Sequence, residues 1–153
     1  MNICVDTERI FAYRGRRKDN GEWVYGGCFQ DGEKYFIVRT TEWYGEKVTR
    51  LVEVDYQTIG KYTTKKDALQ EPVYAGDILV RKNSINLARL YLVNYDTHLV
   101  YDDEAQDYKD TIGFYLTAFE KDKKIHSSLG LGKTEVWAKK IGNIYDDKRL
   151  IKV

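Results

Sequence analysis

The fold is decided by residues 10–25, which read IFAYRGRRKDNGEWVY. Asn20-Gly21 separates two apolar segments there, and Asn-Gly is the strongest short hairpin signal because both turn residues tolerate positive φ. A second turn signal, Asp31-Gly32, follows between Cys28-Phe29 and the segment KYFIV. The two turns together predict a three-stranded meander from about residue 9 to about residue 40.

Further strands are predicted from alternation and from turn residues. Thr111 to Glu120 places Ile112, Phe114 and Ala118 on one face, as in a half-buried strand. Other strands are predicted at 47–55 after a loop at 42–45, at 73–80 with a turn at 75–77, at 89–95 and at 134–144. Short helices are predicted at 64–69, where Thr64 caps the amide of Asp67, and at 104–108.

The composition agrees with a β-rich fold. The 153 residues include 13 tyrosines, three tryptophans and five phenylalanines, and aromatic residues suit a pleated surface. The prediction is a mostly β protein, a compact barrel-like or strongly bent antiparallel sheet with one or two short helices. One domain over 1–153 is expected, with two interleaved β subdomains at about 1–60 and 61–153 as the alternative.

Charge, hydrophobic patterning and cysteine content restrict the partners and the compartment to be expected. Lys and Arg number 25 against 24 acidic residues, so the formal charge of +1 argues against a polycation that coats nucleic acid. We expect no membrane span, because no apolar run reaches about 18 residues, and no secretory signal. Two cysteines, Cys4 and Cys28, suit a reducing compartment.

Motifs for catalysis are weak. Ser127–Thr134 ends like a phosphate-binding loop but lacks its first glycine, so nucleotide binding is rejected. His98 and His126, the two histidines, lie far apart in sequence and show no zinc-site spacing. The acidic segment 102–110 lacks the glycine of a calcium loop and is interpreted as solvated. We therefore predict no catalytic, cofactor or metal residues, no cofactor and no enzyme, with a carboxylate site in a barrel mouth as a distant alternative.

One basic stretch is a candidate nucleic-acid contact. Arg14, Arg16, Arg17 and Lys18 precede the first turn, and Trp23 and Tyr25 follow it. Arginines contact phosphates, and exposed aromatic side chains stack on bases. The simpler interpretation is a solvated hairpin end, with Trp23 and Tyr25 sharing a buried face.

Three segments together resemble the YopX family of small phage and prophage proteins. They are FAYRG with DNGEWVYG at 11–26, VDYQTIGKYT at 54–63 with VYAGDIL at 73–79, and IGNIYD at 141–146. The resemblance covers nearly the whole chain, although residues 63–72 lack the glycines that the family often has there. It implies an all-β, barrel-containing fold and a phage origin, and it supplies no activity.

The expected function is therefore a non-enzymatic binding or assembly module in the host cytoplasm. The expected partners are a second copy, or a host or phage protein, because long tyrosine-rich strands offer edges and surfaces for pairing. The alternative is a nucleic-acid-binding accessory protein that uses Arg14, Arg16, Arg17 and Lys18.

Overall fold

The computed structural model describes residues 11–83, 89–121 and 123–151, without the side chain of Thr97. Cys4 and Ile10 lie outside these residues. The described part is built from antiparallel strands with one short helix, which confirms the predicted mostly β fold. By its contacts the chain divides into two compact units, Met1–Gly60 and Lys61–Val153.

The first unit is a small ring of four strands. They are β1 (Tyr13–Arg17), β2 (Trp23–Asp31), β3 (Lys34–Trp43) and the first part of β4 (Glu46–Lys66). Each strand pairs with the next, and an additional β1–β4 pairing closes the ring. Arg16 N donates to Thr58 Oγ1 at this closure. Ile37 and Val54 form the buried centre, each 1% exposed.

The predicted turns of this unit are confirmed. Gly21 has a φ of 73° between β1 and β2, and Gly32 has a φ of 59° between β2 and β3. The loop expected at 42–45 is shorter than predicted. Its first residues belong to β3, because the left-handed pair Tyr44-Gly45 turns the chain in two residues.

The second unit is a five-stranded antiparallel sheet with a short helix. Its further elements are β5 (Pro72–Tyr74), β6 (Asp77–Arg81), β7 (Arg89–Asp102), β8 (Asp107–Glu120), β9 (Lys123–Leu129), α1 (Thr134–Trp137) and β10 (Ala138–Asn143). The strand order is β10-β6-β7-β8-β9. Alternate side chains enter two core clusters, one containing Val93 and Leu116 and the other Leu92 and Phe119.

Two local predictions were wrong, and a third was correct only in part. Neither 64–69 nor 104–108 is helical. Thr64 has a φ of 66°, which a right-handed helix cannot contain, and 104–108 covers a hairpin turn and the start of β8. The strand predicted at 134–144 begins with one helical turn before β10.

Two local features shape strands β6 and β10. Asp77 Oδ2 accepts the amide of Tyr74 at 2.8 Å, so this carboxylate caps the turn before β6. The register of β10 shifts between Lys140 and Gly142, which marks a bulge. Among the described residues, no helix is long and apolar enough to cross a membrane.

Candidate protein-binding face

The predicted nucleic-acid residues of β1 contact an aromatic ring. Arg14 is buried, and its guanidinium carbon lies 4.8 Å from the centre of the Trp23 ring. The guanidinium of Arg16 lies 5.4 Å from the same centre. Trp23 is half-buried. Both arginines therefore contribute cation–π contacts within the first unit.

The other two basic residues of the stretch face carboxylates. Arg17 donates two hydrogen bonds to Asp19, at 2.9 and 2.7 Å. These bonds hold the pKa of Asp19 below its ordinary value. Lys18 Nζ lies 3.4 Å from a carboxylate oxygen of Glu53. Burial of Arg14 and pairing of Arg17 and Lys18 mean that the four cations do not form one open basic surface.

The histidines lie in ordinary surroundings. The ring of His98 packs on Tyr115 with centres 4.5 Å apart, and its Nδ1 lies 3.2 Å from the carbonyl of Asp96. His126 is exposed on β9. Within 11–83, 89–121 and 123–151, no three His, Cys, Asp or Glu side chains group closely enough to hold a metal ion.

The segment 127–134, which ends like a phosphate loop, runs from β9 into α1. Thr134 is fully buried, and its hydroxyl donates to the carbonyl of Lys66 at 2.8 Å. Lys65 Nζ bonds the carbonyl of Gly132. The helix has only four residues, so it offers a phosphate little of a helix dipole. The Thr134 hydroxyl and the Gly132 carbonyl thus connect this segment to the end of β4.

The most prominent surface is a hairpin arm formed by β7 and β8. Their register runs without a shift from Arg89 opposite Glu120 to Asp102 opposite Asp107. We define the arm as residues 95–114, with its turn at 103–106. Directly paired residues of antiparallel strands point to the same face, and the face alternates along each strand.

One face of the arm continues the apolar surface of the core but is exposed to solvent. At the base this face carries Tyr91, Val93, Leu116 and Ala118, all buried. Beyond the base it carries what we call the apolar arm face: Tyr95, Leu99, Tyr101, Tyr108, Ile112 and Phe114. Ile112 is 71% exposed and Tyr108 is 63% exposed. Ile112 was predicted to lie on the buried face of a half-buried strand, but the protein core does not extend as far as this residue.

The opposite face of the arm changes from apolar to mostly polar where the arm leaves the core. At the base it carries Leu90, Leu92 and Phe119, which are buried in the second core cluster. Beyond the base it is mostly polar, with Asp96, His98, Lys109 and Thr111 beside Val100. The sequence therefore keeps one face apolar where neither face is covered, as expected for a face that meets a partner.

Aromatic and aliphatic side chains follow a regular order along the apolar arm face. The Tyr95 and Phe114 rings pack at the base with centres 4.7 Å apart, and the Tyr101 and Tyr108 rings pack at the tip with centres 5.3 Å apart. The aliphatic side chains of the face lie between these two aromatic pairs. Lys61 Nζ lies 4.6 Å from the centre of the Tyr95 ring and thus places a cation at the base.

The tip of the arm is acidic. Asp102, Asp103, Glu104 and Asp107 surround the turn, and Asp110 lies opposite Leu99 on the apolar face. Asp102 accepts the amides of Glu104 and Ala105 and pairs with Lys109. The bond from Lys109, followed by these amides, lowers the pKa of Asp102. The carboxylate of Asp102 therefore serves as a turn cap.

Sequence reasoning recognised β8 but missed the arm. The available signal was the continued alternation of Tyr95, Leu99 and Tyr101 beyond the predicted strand end, facing Tyr108 and Ile112 across an acidic turn.

The fold places the chain in the class of mostly β proteins. It combines a closed four-stranded ring, an open five-stranded sheet and a β-hairpin with an exposed apolar face. A family model described as YopX protein matches residues 12–152. The chain belongs to the YopX family, as its sequence segments indicated. No curated protein matches it.

Proposed function

We propose that the protein is a non-enzymatic module that binds another protein chain through the apolar arm face. The observation that carries the proposal is the apolar arm face, which is exposed although the same face is buried at the arm's base. Asp110 brings one carboxylate onto this face. Soluble proteins rarely expose large contiguous apolar patches unless a partner covers them.

Energetics support a protein partner for this face. A two-stranded hairpin is marginally stable by itself, so an arm of this length gains order when its face is covered. Burial of apolar surface contributes about 25 cal/mol per Å². Tyrosine is also among the residues enriched at protein interfaces, since its ring packs while its hydroxyl stays solvated.

The proposal includes an origin and a compartment. Membership in the YopX family supports the phage or prophage origin that the sequence resemblance implied, and two cysteines suit a reducing host cytoplasm. The non-enzymatic part is supported by the surroundings of His98, whose contacts are a ring and a backbone carbonyl.

Site-specific photo-crosslinking tests the binding face. A benzophenone amino acid is placed at Ile112 on the apolar face, or at Thr111 on the opposite face as a matched control. We expect protein adducts from position 112 that are at least tenfold more abundant than those from position 111, because only the first face is apolar. The yield at 112 should fall when Leu99→Asp is added. Equal yields at both positions, or no adduct at 112 in the cell, would refute the proposal.

A specific observation supports nucleic-acid binding as a second candidate function, at a site other than the predicted stretch. The β3–β4 hairpin of the first unit ends in Trp43 and Tyr44, which are 66% and 76% exposed. Arg39 lies directly opposite Arg50 on the face that also carries Trp43. Like charges at opposite positions are destabilising. The guanidinium of Arg39 lies 5.2 Å from the centre of the Phe11 ring, and an anion between the two arginines would offset their repulsion. A single strand could place a phosphate there and stack a base on Trp43.

Fluorescence anisotropy with a labelled single-stranded oligonucleotide tests this second function. We expect Trp43→Ala to weaken binding by about tenfold, because base stacking contributes about 1–3 kcal/mol. Arg39→Ala with Arg50→Ala should also flatten the salt dependence, by about 0.7 per lost phosphate contact. Arg16→Ala with Arg17→Ala is the matched control and tests the originally predicted stretch. If only the Arg16→Ala, Arg17→Ala variant weakens binding, the β1 stretch is the binding site. If the wild-type protein binds no oligonucleotide, nucleic-acid binding is excluded.

A further inference from the structure

We propose that the partner of the apolar arm face is the same face of a second copy, packed face to face with the two arms antiparallel. This inference rests on the proposed function and names the occupant of that surface. Its geometry follows from the order of side chains along the arm and from the positions of its charges.

The order of side chains is self-complementary. The face carries an aromatic pair at the base, aliphatic Leu99 and Ile112 in the middle, and an aromatic pair at the tip. Successive rows on one face are about 7 Å apart along the strand. Antiparallel packing therefore sets each tip pair, Tyr101 and Tyr108, against the other copy's base pair, Tyr95 and Phe114. Aromatic rings then meet at both ends, and the centre holds Leu99 and Ile112 together with Asp110.

The charges select the antiparallel orientation. In a parallel arrangement the two acidic tips, each with Asp103 and Glu104, would lie side by side and repel each other. In the antiparallel arrangement each tip instead lies at the other copy's base. A cation is present there, since Lys61 rests on the ring of Tyr95 and its ammonium is within 3.4 Å of the tyrosine hydroxyl.

The carboxylate of Asp110 weakens the proposed contact between the two arms. Asp110 lies opposite Leu99, near the centre of the face, so each copy brings one carboxylate into the interface. Removing a carboxylate from water is costly without a partner cation. The dimer is therefore weak and reversible, and replacement of Asp110 by an apolar residue strengthens it.

Light scattering and sedimentation equilibrium of the full chain over a range of concentrations test the inference. We expect a dimer whose dissociation constant rises at least tenfold in Ile112→Asp and falls about tenfold in Asp110→Leu. Thr111→Asp, on the opposite face, is the matched control and should leave it unchanged. Circular dichroism verifies the fold of Ile112→Asp and of Asp110→Leu, so that neither change in the dissociation constant is ascribed to misfolding.

The orientation is measured by a spin label at the tip. In Ala105→Cys, with Cys4→Ser and Cys28→Ser, antiparallel arms of this length place the two labels about 35 Å apart. A distance below about 20 Å would indicate parallel arms and overturn the orientation. A monomer at all concentrations, or a dimer indifferent to Ile112→Asp and Asp110→Leu, would overturn the inference. The proposed function would still stand if position 112 then crosslinked selectively to a different protein.

Discussion

Gly26→Ala is expected to lower the free energy of unfolding by about 3 kcal/mol, at the upper end of the usual cost of overpacking. A Cβ at Gly26 would lie 2.2 Å from the carbonyl oxygen of Val38 and 3.0 Å from Cγ2 of Ile37. The first obstacle is backbone of the neighbouring strand β3, so no rotamer change relieves it. Strands β2 and β3 would have to separate, and Ile37 would lose its packing at the centre of the four-stranded ring.

The adjacent residue provides the control for this substitution. A Cβ at Gly27 would find its nearest atom, the same carbonyl oxygen of Val38, at 3.9 Å, which is ordinary contact. Gly27→Ala is therefore expected to change stability by less than about 1 kcal/mol. Urea unfolding followed by circular dichroism measures both variants. Equal midpoints for Gly26→Ala and Gly27→Ala would show that the close approach of Gly26 to β3 is not restrictive.

The contrast between these two glycines shows what the sequence can and cannot predict. The turns at Asn20-Gly21 and Asp31-Gly32 were predictable, because the residues that make them are adjacent and their φ preferences are local. Gly26 and Gly27 look alike in sequence. Only the pairing of β2 with both β1 and β3 makes one of them crowded, and this pairing is a property of the closed ring.

The candidate site illustrates a second limit. Alternation along Tyr95, Leu99 and Tyr101 predicts an apolar face, but alternation alone does not tell where the covering core ends. Ile112 was expected on the buried face of its strand, and it is the most exposed member of the apolar arm face. The β1 cations show the converse, since Arg14 looked available in sequence and is buried beside Trp23.

Long-range polar contacts were the least predictable feature. Thr64 was expected to cap the chain near residue 67, because it precedes a short helix-like segment. Asp67 performs the capping instead, and one of its partners is 73 residues away in sequence. No local pattern reveals such a partner, because the contact depends on where β10 lies in the folded unit.

Asp67→Ala is accordingly expected to be strongly destabilising, with a loss of about 4 kcal/mol in the free energy of unfolding. The side chain of Asp67 is fully buried. Its Oδ1 accepts the amides of Leu69 and Glu71, both at 2.9 Å, and its Oδ2 accepts the amide of Lys140 at 2.8 Å. Alanine leaves three donors without their acceptor, and a buried unsatisfied donor costs about 1–3 kcal/mol.

Asp67→Asn keeps the side-chain volume and one oxygen acceptor but removes the charge and the second acceptor. The amide oxygen can still accept from Leu69 and Glu71, but the amide nitrogen then faces the N–H of Lys140, so one bond of three is lost. We expect a loss of about half that of alanine. Chemical denaturation of the full chain measures the order wild type, Asn, Ala. If Asp67→Ala were as stable as Asp67→Asn, the two turn amides would find other acceptors, and Asp67 would not fasten the β4–β5 turn to β10. A net stability of about 5–15 kcal/mol is usual for a domain, so the predicted loss for alanine is large enough to be measured directly.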